Sequence, residues 1–553
     1  MRNNLKKLAL AVFFLVSAGA LSFGGGRAGA GAPAAAPGEK PTLLIAMMAN
    51  SYITDYEDNY LTQYMEKLHN INLDFYMLPQ AANEAATKVA LMVSSNDLTD
   101  ILLTGGLTRE AILNYGSNGA FIPLNKYFSD PAKTKNFLTI PAEDRRVLLD
   151  GITSADGNIY TLARHSLNPW NFTPYRIYIN REWLEKLGLK MPADTGELRT
   201  VLTAFRDGDP NGNGRKDEIP VYGQYSGNYG ENIIVTLINS FLFYTPGNLA
   251  LDSSGNRVIA PFADPAFRKA LIYISGLYKD GLLAGSLFTD DTSQFRALLN
   301  NDPPLVGFTS AGSNGNWTNA ATNKNLAQLD LIGPIPGPEG KAFTPFSTFV
   351  PDAFGIITSK CANPDTAWTL LESFYDQKNG AVALCGEEGV DWSKKPEDLD
   401  KAVNSYIALG VIPRAGIVEI NDRWSGPPHN KTWHDINPIY RGLDMTYGRV
   451  SLSNPYDPNN RVSQFNAIHY KLYTGKYPEK LLPLLRYSLG EAENLAEPIT
   501  NVNEYTKQAI AEFVSGTRDI NNDGAWNAYI RDLNNMGLEQ WLKIAQAVYD
   551  RQK

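Results

Sequence analysis

Cysteine and histidine are scarce in this sequence, which has two cysteines and five histidines in 553 residues. Two cysteines cannot build a disulfide scaffold or a metal cage held by several thiolates. The histidines show no metal-ligand spacing; they are His69, His165, His429, His434 and His469. The motifs G-x-S-x-G, H-E-x-x-H and G-x-x-x-x-G-K-[ST] are also missing. The sequence therefore gives no support for a serine hydrolase, a zinc protease or a P-loop NTPase.

The sequence has fewer basic than acidic residues. The chain has 50 basic and 58 acidic residues, a net charge of −8. Residues 1–30 hold four basic residues and no acidic one, so the remainder has 46 basic and 58 acidic residues, a net charge of −12. A uniformly acidic chain repels a phosphate backbone, which excludes nucleic acid as an expected partner. The hydrophobic content of 43% is that of a globular protein.

Long apolar runs are confined to the N-terminus. Three basic residues precede the run Leu8–Leu21, and small residues come after it at Gly24–Gly31. This is the pattern of a secretory signal, and Ala28-Gly29-Ala30 fits the small-x-small cleavage rule. We predict a signal peptide over residues 1–30, with an uncleaved anchor as the alternative, and a flexible tether over residues 31–40.

The residue after this run bears on membrane attachment. A bacterial lipid anchor needs a cysteine there, and the sequence has Gly24. We therefore expect an exported protein without a lipid, either periplasmic or extracellular and associated with the cell surface. An oxidising compartment permits a disulfide between Cys361 and Cys385. A predicted helix between them would hold them apart, so the sequence leaves their pairing open.

The first part of the mature chain alternates between strand and helix patterns. Thr42–Ala46 is a short apolar run, Tyr52–Leu68 has helical spacing, and residues 71–77 alternate as in a strand. A second helix is predicted over Glu84–Val93 and a buried strand over Ile101–Leu103. Such alternation predicts an α/β fold with a parallel sheet covered on both faces.

Later segments continue this scheme. Tyr175–Ile179 is predicted as a strand that leads into a helix at Arg181–Leu187. Region 410–465 has many Pro, Asn, Asp and aromatic residues with little periodicity, which predicts ordered loops. Four tryptophans sit on apolar helical stripes and are predicted to be core; they are Trp183, Trp368, Trp526 and Trp541.

One loop has the chemistry of a metal site. Counting from Asp209, oxygen-bearing side chains fall at positions 1, 3 and 5 and Gly214 at position 6, as in the first half of an EF-hand. Position 12 is Pro220, so carboxylates at positions 9 and 10 must complete the shell of hard oxygens that calcium needs. We predict one structural calcium ion, with a plain turn as the alternative. The predicted ligands are Asp209, Asn211, Asn213, the carbonyl of Arg215, Asp217 and Glu218.

A second segment, Asp519–Gly524, begins in the same way. Its position 12 is Ile530, and it has no carboxylate at positions 9 or 10. We predict a helix-capping turn before Trp526 rather than a metal site.

The calcium loop and its flanks resemble a known family. Ile179–Leu189 followed by Phe205–Pro220 resembles the family-one extracellular solute-binding proteins of bacterial ABC importers, and more narrowly the calcium-containing branch that includes alginate-binding proteins. Further stretches with the same resemblance are Leu91–Ile101, Asp156–Tyr160, Ser359–Tyr375, Gly386–Trp392 and Trp526–Arg551.

The resemblance implies a fold, partners and a division of the chain. It implies an α/β, two-lobed periplasmic-binding-protein-like fold with a hinge and an interlobe ligand cleft. Lobe 1 is expected to comprise residues 41–162 and 333–402, and lobe 2 residues 163–332 and 403–553, including the calcium loop 207–220. It also implies the same six calcium ligands. We expect a monomer whose partners are a small solute and the membrane permease subunits of an ABC transporter.

Aromatic residues in loops are the candidates for sugar contact, because sugar rings stack their C–H faces on aromatic planes. Trp170, Trp317 and Trp424 lie in segments rich in Pro, Gly and Asn, where packing explains an aromatic less well. Trp392, which ends the Gly386–Trp392 motif, and Tyr222, just after the calcium loop, are weaker candidates.

We therefore predict a transport receptor that binds an oligosaccharide or a related carbohydrate and does not act as an enzyme. A secreted carbohydrate-active enzyme, a glycosidase or lyase, is the alternative, since a glycosidase needs only two carboxylates and no longer motif. A receptor for a non-sugar solute such as a peptide is a further alternative. The net charge of the mature chain argues against a polyanionic ligand unless the cleft is locally basic.

Overall fold

The computed structural model describes residues 39–103, 106–166, 172–227, 229–313, 324–346, 352–421, 427–451 and 461–553. Its strands are β1 (Thr42–Met48), β2 (Asn72–Leu78), β3 (Ile101–Leu103), β4 (Ala163–Ser166), β5 (Arg176–Asn180), β6 (Ile219–Tyr222), β7 (Ala250–Leu251), β8 (Val258–Ile259), β9 (Val306–Ala311), β10 (Leu329–Ile332), β11 (Asp352–Ala353), β12 (Ile356–Ile357), β13 (Trp392–Ser393), β14 (Ile417–Glu419), β15 (Ile439–Arg441) and β16 (Arg449–Ser451).

Its helices are α1 (Tyr60–His69), α2 (Ala82–Ser94), α3 (Arg109–Ser117), α4 (Asn125–Phe128), α5 (Ala142–Ile152), α6 (Arg181–Lys186), α7 (Thr195–Asp207), α8 (Ile233–Ile238), α9 (Pro265–Lys279), α10 (Thr292–Leu299), α11 (Pro364–Ser373), α12 (Gln377–Cys385), α13 (Pro396–Leu399), α14 (Ser405–Ala408), α15 (Leu443–Tyr447), α16 (Arg461–Tyr473), α17 (Leu489–Ser515), α18 (Asp523–Asn535) and α19 (Leu538–Gln552). Short 3-10 turns occur at Phe137–Thr139, Pro261–Ala263, Gly285–Phe288 and Lys324–Gln328.

The first sheet has the strand order β12-β3-β1-β2. Strand β1 pairs in parallel with β2 and β3, so that Ile45 lies opposite Phe75 and Ile101. Helices α1 and α2 connect these strands, since parallel neighbours need a crossover. Helix α1 begins at Tyr60 and not at Tyr52, because the Asn59 side chain accepts the Leu61 N–H and caps the first turn there.

The second sheet has the strand order β10-β5-β9-β6. Strand β9 is antiparallel to β5 and parallel to β6. Strand β5 passes directly into α6, where the Asn180 side chain accepts the Trp183 N–H. The four tryptophans predicted to be core are buried, each 8% exposed or less. The helical stripes were therefore correctly assigned to the interior.

Two hydrophobic cores define the two lobes. Lobe 1 has core residues between positions 43 and 163 and again between 354 and 445. Lobe 2 has core residues between positions 177 and 335 and again between 465 and 549. Both lobes are therefore discontinuous in sequence, and the chain passes between them three times.

The third passage lies further along the chain than predicted. Ile417, Trp433 and Met445 pack in the core of lobe 1, so region 403–451 does not belong wholly to lobe 2. Its strands β14, β15 and β16 are three residues long. A strand this short shows hardly one cycle of the two-residue alternation, so the sequence pattern predicted loops instead.

The second passage also differs from the expected position near residue 333. The Thr195 N–H donates to the Pro336 carbonyl, and the Thr344 N–H donates to the Lys476 carbonyl. These bonds keep residues 336–344 with lobe 2. Helix α16, which comes after the third passage, contacts both lobes: Phe465 lies in the core of lobe 2, whereas Ala467 packs with Tyr406 and Tyr447.

A small three-stranded sheet lies where the chain changes lobes. Its order is β11-β4-β15, with Asp352 opposite Arg164. Strand β4 precedes the first passage, β11 comes after the second, and β15 comes shortly before the third. This sheet therefore occupies the position of a hinge.

Both cysteines are unpaired, with Cys385 buried and Cys361 half-buried. Burial raises the pKa of the Cys361 thiol to about 12, so it is protonated at neutral pH. Within the described ranges, the helices are all too short or too polar to span a bilayer. The predicted signal peptide lies outside the described residues, as does the tether up to residue 38.

Candidate functional site

The geometry of the two sheets places a cleft between the lobes. In lobe 1, β1 ends at Met48 and β3 at Leu103, and β12 starts beside them at Ile356, just after the second passage. The carboxyl edge of this sheet therefore faces the passages between the lobes. In α/β sheets, ligands bind in the crevice beyond this edge.

The sheet of lobe 2 has the corresponding arrangement. Strand β9 ends at Ala311, and the antiparallel strand β5 begins opposite it at Arg176, shortly after the first passage. The carboxyl ends of β6 and β9 therefore also face the passages. The two ligand-binding edges lie on opposite sides of one crevice.

The lobe 1 edge presents an aromatic pair. The ring of Tyr52, which is 39% exposed, stacks on the ring of His434 with 4.9 Å between centroids and 15° between planes. His434 and Asp435 both have positive φ, 50° and 65°, in the left-handed region that non-glycine residues rarely adopt. Buried Asp435 forms an ion pair with Arg441, which holds this turn in place. Such fixed, strained turns occur preferentially at binding sites.

A buried arginine lies at the lobe 2 edge. Arg176 is fully buried, and its Nη1 donates to Asn466 Oδ1 at 2.6 Å. Among the residues that the structure describes, no group accepts a hydrogen bond from its Nε or Nη2. Below it, His469 Nε2 lies 2.9 Å from Thr173 Oγ1, and burial lowers the pKa of His469 far below its usual value. The histidine therefore remains neutral, and the positive charge at this edge comes from the arginine.

The hinge sheet has its own aromatic contact. His165 on β4 is buried and lies 5.0 Å from the ring of Tyr440 on β15, whose hydroxyl donates to Asp144. Burial lowers the pKa of His165 to about 4, so the imidazole is uncharged at neutral pH. His165 therefore contributes packing, and no charge, to the hinge.

The predicted sugar-stacking residues fall into two groups. Trp170, Trp317 and Trp424 lie outside the described residues. Trp392 is 1% exposed and donates from its indole nitrogen to the Gly386 carbonyl at 2.9 Å. Tyr222 is fully buried, and its hydroxyl donates to Asp290 at 2.8 Å. Both rings are thus packed inside their lobes. Tyr52 is an exposed aromatic that the sequence analysis missed, because its periodicity placed it in a predicted helix.

The predicted calcium loop folds back on itself between α7 and β6. The carboxylate of Asp209 accepts the N–H groups of Gly212, Asn213 and Gly214 at 3.0–3.1 Å. The side-chain amides of Asn211 and Asn213 donate to Asp217 at 3.0–3.1 Å. Gly212 and Gly214 have φ near 75°, which only glycine adopts readily. The side chains of Asp209, Asn211, Asn213 and Asp217 are therefore drawn together by hydrogen bonds within the loop.

Glu218 supplies the test of whether these residues fit a cation. The side chain is 8% exposed, and its Oε2 has no hydrogen-bond partner within the described part of the chain. Burial first, and then the nearby charges of Asp209 and Asp217, raise the pKa of Glu218. A buried carboxylate oxygen without a donor, beside two further carboxylates, is an arrangement that a cation would stabilise. The residues present fit the predicted ion.

The carboxylates of the loop do not by themselves form a metal site. No cluster of three His, Cys, Asp or Glu side chains placed to hold a metal occurs among the described residues. In this loop, the asparagine amides and the carbonyl of Arg215 come in sequence between Asp209 and the carboxylates of Asp217 and Glu218. Any metal shell here must therefore include amide and backbone oxygens, which suit calcium better than a softer metal.

The second loop is a helix cap, as predicted. The Asn522 side chain accepts the Ala525 N–H and begins α18. Asp523 forms an ion pair of 2.7 Å with Arg268. Of the carboxylates that resembled metal ligands, Asp523 is thus paired with Arg268, and Asp519 accepts the Asn521 N–H at 3.0 Å.

The sequence has relatives of known role, although no family model matches it. It is 26% identical over 541 residues to the fructooligosaccharide ABC transporter substrate-binding protein FusA of Streptococcus pneumoniae serotype 4, over 93% of this chain and 91% of FusA. The structure of FusA with kestose matches with a TM-score of 0.67 at 22% identity, covering 92% of this chain and 99% of that chain. Another FusA structure is of an EF-hand mutant with fructo-nystose.

Two further solved structures share the fold. An HMO-binding, ABC-transporter-associated solute-binding protein of Bifidobacterium longum infantis has a TM-score of 0.73 at 18% identity, covering 92% of this chain and 99% of that chain. The alginate-binding protein AlgQ2 without calcium ion has a TM-score of 0.60 at 22% identity, covering 93% and 98%.

These likenesses confirm the predicted two-lobed solute-binding-protein fold. The chain is a homologue of ABC-transporter substrate-binding proteins, as the resemblance in sequence implied. These relatives are binding proteins rather than enzymes.

Proposed function

We propose that this protein is the solute receptor of an ABC importer and binds an oligosaccharide in the crevice between its lobes. The observation that carries the proposal is the similarity to FusA, which extends over nearly the whole of both chains and so includes both lobes and the hinge. A receptor of this kind delivers its ligand to the permease subunits outside the cytoplasm, so we also propose that the protein is exported.

The residues proposed to meet the sugar come from both lobes. Tyr52 offers an exposed ring at the lobe 1 edge, fixed by its stacking on His434. Trp170, Trp317 and Trp424 remain proposals from the sequence. An aromatic ring can stack on the C–H face of a sugar, which is the reason for proposing them.

We further propose that the loop Asp209–Glu218 holds one structural calcium ion. The ligands would be the carboxylates and amides of the loop with the carbonyl of Arg215. Bound calcium supplies positive charge to Glu218, whose Oε2 has no hydrogen-bond partner in the described chain. The loop connects α7 to β6 at the base of lobe 2, so the ion stabilises the lobe and does not contact the ligand.

Calorimetry with defined glycans tests the receptor function. Kestose, nystose and neutral milk-type oligosaccharides are titrated into the purified mature protein, and mass spectrometry then examines each glycan. We expect saturable binding of at least one glycan, recovered unchanged. A shortened or unsaturated glycan would show the alternative, a carbohydrate-active enzyme. Binding of a peptide library without binding of any glycan would contradict the sugar assignment.

Small-angle scattering tests the mechanism. Ligand that contacts both lobes favours the arrangement in which they approach, and it shifts this equilibrium only by its differential affinity for the two states. We expect a smaller radius of gyration at saturation. Tyr52→Ala should weaken binding without altering the melting temperature, whereas a matched change of the buried Tyr222→Ala should lower the melting temperature.

A further inference from the structure

A cavity of about 220 Å³ lies between the lobes beside helix α3. Its lobe 1 wall includes Thr108, Arg109 and Ser154, and its lobe 2 wall is the segment Leu485–Tyr487 that precedes α17. The cavity is thus built from both lobes, and it contains none of the residues proposed above for sugar or calcium binding.

The first of its two arginines lacks a partner. Within the described residues, no hydrogen bond or ion pair is formed by the guanidinium of Arg109. Burial, and to a lesser extent the nearby charge of Arg486, lower the pKa of Arg109 to about 10, although exposed Glu110 acts in the opposite direction. Arg109 therefore stays charged at neutral pH, and the half-buried guanidinium has no acceptor from the described part of the protein.

The second arginine, Arg486, has a fixed backbone, and within the described residues only some of its hydrogen-bond donors have an acceptor. Arg486 Nη2 donates to Asp150 Oδ1 across the lobes at 3.2 Å, while its buried Nε has no acceptor in the described chain. The C-terminal helix α19 fixes the backbone of this segment. Gln552 Oε1 accepts the Arg486 N–H at 2.8 Å, and Arg551 donates to the Arg486 carbonyl at 3.1 Å. Helix α19 therefore fixes the backbone that carries the Arg486 guanidinium.

The start of α3 adds to the positive potential. Thr108 caps the helix by accepting the Ala111 N–H. The N–H groups of Arg109 and Glu110 precede the first intrahelical bond and carry the partial positive charge of the helix terminus. Two guanidinium groups that repel each other and a helix terminus thus border the cavity, and within the described ranges Asp150, which accepts from Arg486 Nη2, is the acceptor that these groups have.

We propose that this cavity is an oxyanion-binding site in which one anion joins Arg109 of lobe 1 to Arg486 of lobe 2. The occupant is a carboxylate or an inorganic oxyanion of similar size. Because both lobes contribute a donor, the anion favours the arrangement in which the lobes meet here. Two sources can supply it: the carboxylate of an acidic sugar that extends from the crevice, or an anion free in solution.

Thermal melts of the mature protein in sodium sulfate, with ionic strength balanced by sodium chloride, test the site itself. We expect a saturating rise in melting temperature for the native protein. The rise should be absent in Arg109→Met and Arg486→Met and partly retained in Arg109→Lys. Arg199→Met removes an exposed guanidinium paired with Asp280 far from the cavity and should behave as the native protein does.

Two comparisons separate the site from indirect effects. Sulfate also stabilises proteins generally, and that response is linear and common to all variants. Asp150→Asn removes the contact between the lobes but keeps both arginines, so it should retain the saturating rise. The proposal is overturned if Arg109→Met responds to sulfate as the native protein does.

A matched glycan pair identifies the source of the anion. Trigalacturonate and its methyl ester share one sugar chain, but the ester replaces each charged carboxylate with a neutral, slightly larger methyl ester. If the site serves a glycan carboxylate, the acid should bind at least tenfold more tightly than the ester, and Arg109→Met should remove this preference. Equal affinity with a saturating sulfate response assigns the site to a free oxyanion. Binding of neutral glycans without any specific sulfate response refutes the anion site and leaves the receptor function standing.

Discussion

Two loops of this protein begin with nearly the same letters and lead into different elements. The loop from Asp209 and the loop from Asp519 both place oxygen-bearing side chains at positions 1, 3 and 5 before a glycine. In the second loop, Asp519 at position 1 accepts the Asn521 N–H and Asp523 at position 5 forms an ion pair with Arg268, while Asn522 at position 4 caps α18. In the first loop the corresponding groups are also hydrogen-bonded within the loop, but Glu218 keeps a buried oxygen without a partner in the described chain.

The difference lies in the element that each loop enters. The second loop enters a helix at once, and the first turn of a helix demands acceptors for its free N–H groups. The first loop enters strand β6, which needs no cap and places Glu218 beneath the loop. A metal site is therefore indicated by acceptors that the protein leaves unused, and the opening letters alone do not indicate one.

Removal of calcium should produce the greatest change. At a calcium concentration about a hundredfold above Kd, a bound ion contributes about 2.7 kcal/mol to the free energy of unfolding. Chelation should then lower the melting temperature by about 5–10 °C, as should Asp217→Ala in calcium. Differential scanning calorimetry with and without chelator checks this, with Asp519→Ala as the matched control. An unchanged melting temperature after chelation would show that both loops are turns.

The effect of Glu218→Gln on the free energy of unfolding should have opposite signs with and without calcium. In calcium the variant should be less stable than the native protein, because the ion loses a charged ligand. In chelator it should be more stable by about 1 kcal/mol, because the buried acceptor no longer carries an uncompensated charge. Denaturant unfolding of the variant and the native protein under the two conditions measures the difference. Equal effects of the substitution in calcium and in chelator would show that Glu218 is not a metal ligand.

The pH dependence offers an independent check on Glu218. Its pKa is raised in the folded protein, so folding favours the protonated form. The stabilisation is complete below the unfolded pKa of about 4.3 and is lost as pH rises through the folded pKa. Without calcium, native stability should therefore decline over this range more than that of Glu218→Gln. Parallel pH profiles would contradict the raised pKa.

Loss of the helix cap should have a moderate effect. Asn522→Ala leaves the Ala525 N–H without its side-chain acceptor, which costs about 1 kcal/mol for a typical cap. The change in stability should be the same with calcium and with chelator. Any calcium dependence of this variant in urea unfolding would mean that the second loop also binds metal.

Asp519→Ala should have the least effect. The Asp519 carboxylate accepts only local, exposed bonds within its own turn. Substitutions of this kind change stability by less than about 0.5 kcal/mol. The corresponding change at Asp209 removes the acceptor for three backbone N–H groups, so a thermal melt of the two variants side by side should separate the loops clearly.

Local signals in the sequence predicted local structure well. The alternation over residues 71–77 is strand β2, and the apolar helical stripes place Trp183 and Trp368 in the interior. The spacing from Asp209 predicted a loop whose side chains meet. Each of these features depends on residues close together in the chain, where periodicity and turn chemistry act directly.

Features formed by distant residues were not predicted. Trp433 packs in lobe 1 although its surroundings resemble loops, because three-residue strands carry too little pattern. Tyr52 stacks on His434, and Arg109 and Arg486 line one cavity. The members of each pair are far apart in sequence and come together only because the chain passes between the lobes. The sugar-binding candidates Trp170, Trp317 and Trp424 depend on the same long-range arrangement and stay predictions.

The three passages of the chain between lobes also set the order in which the protein can fold during synthesis. The sheet of lobe 1 lacks its edge strand β12 until Ile356 and Ile357 are made, and its core lacks Trp433 until later still. Lobe 2 waits for Trp541 and Ala545 near the C-terminus. Because long-range contacts form slowly and only once both partners exist, neither lobe can be completed early. The nascent chain therefore stays without a complete lobe for most of its length.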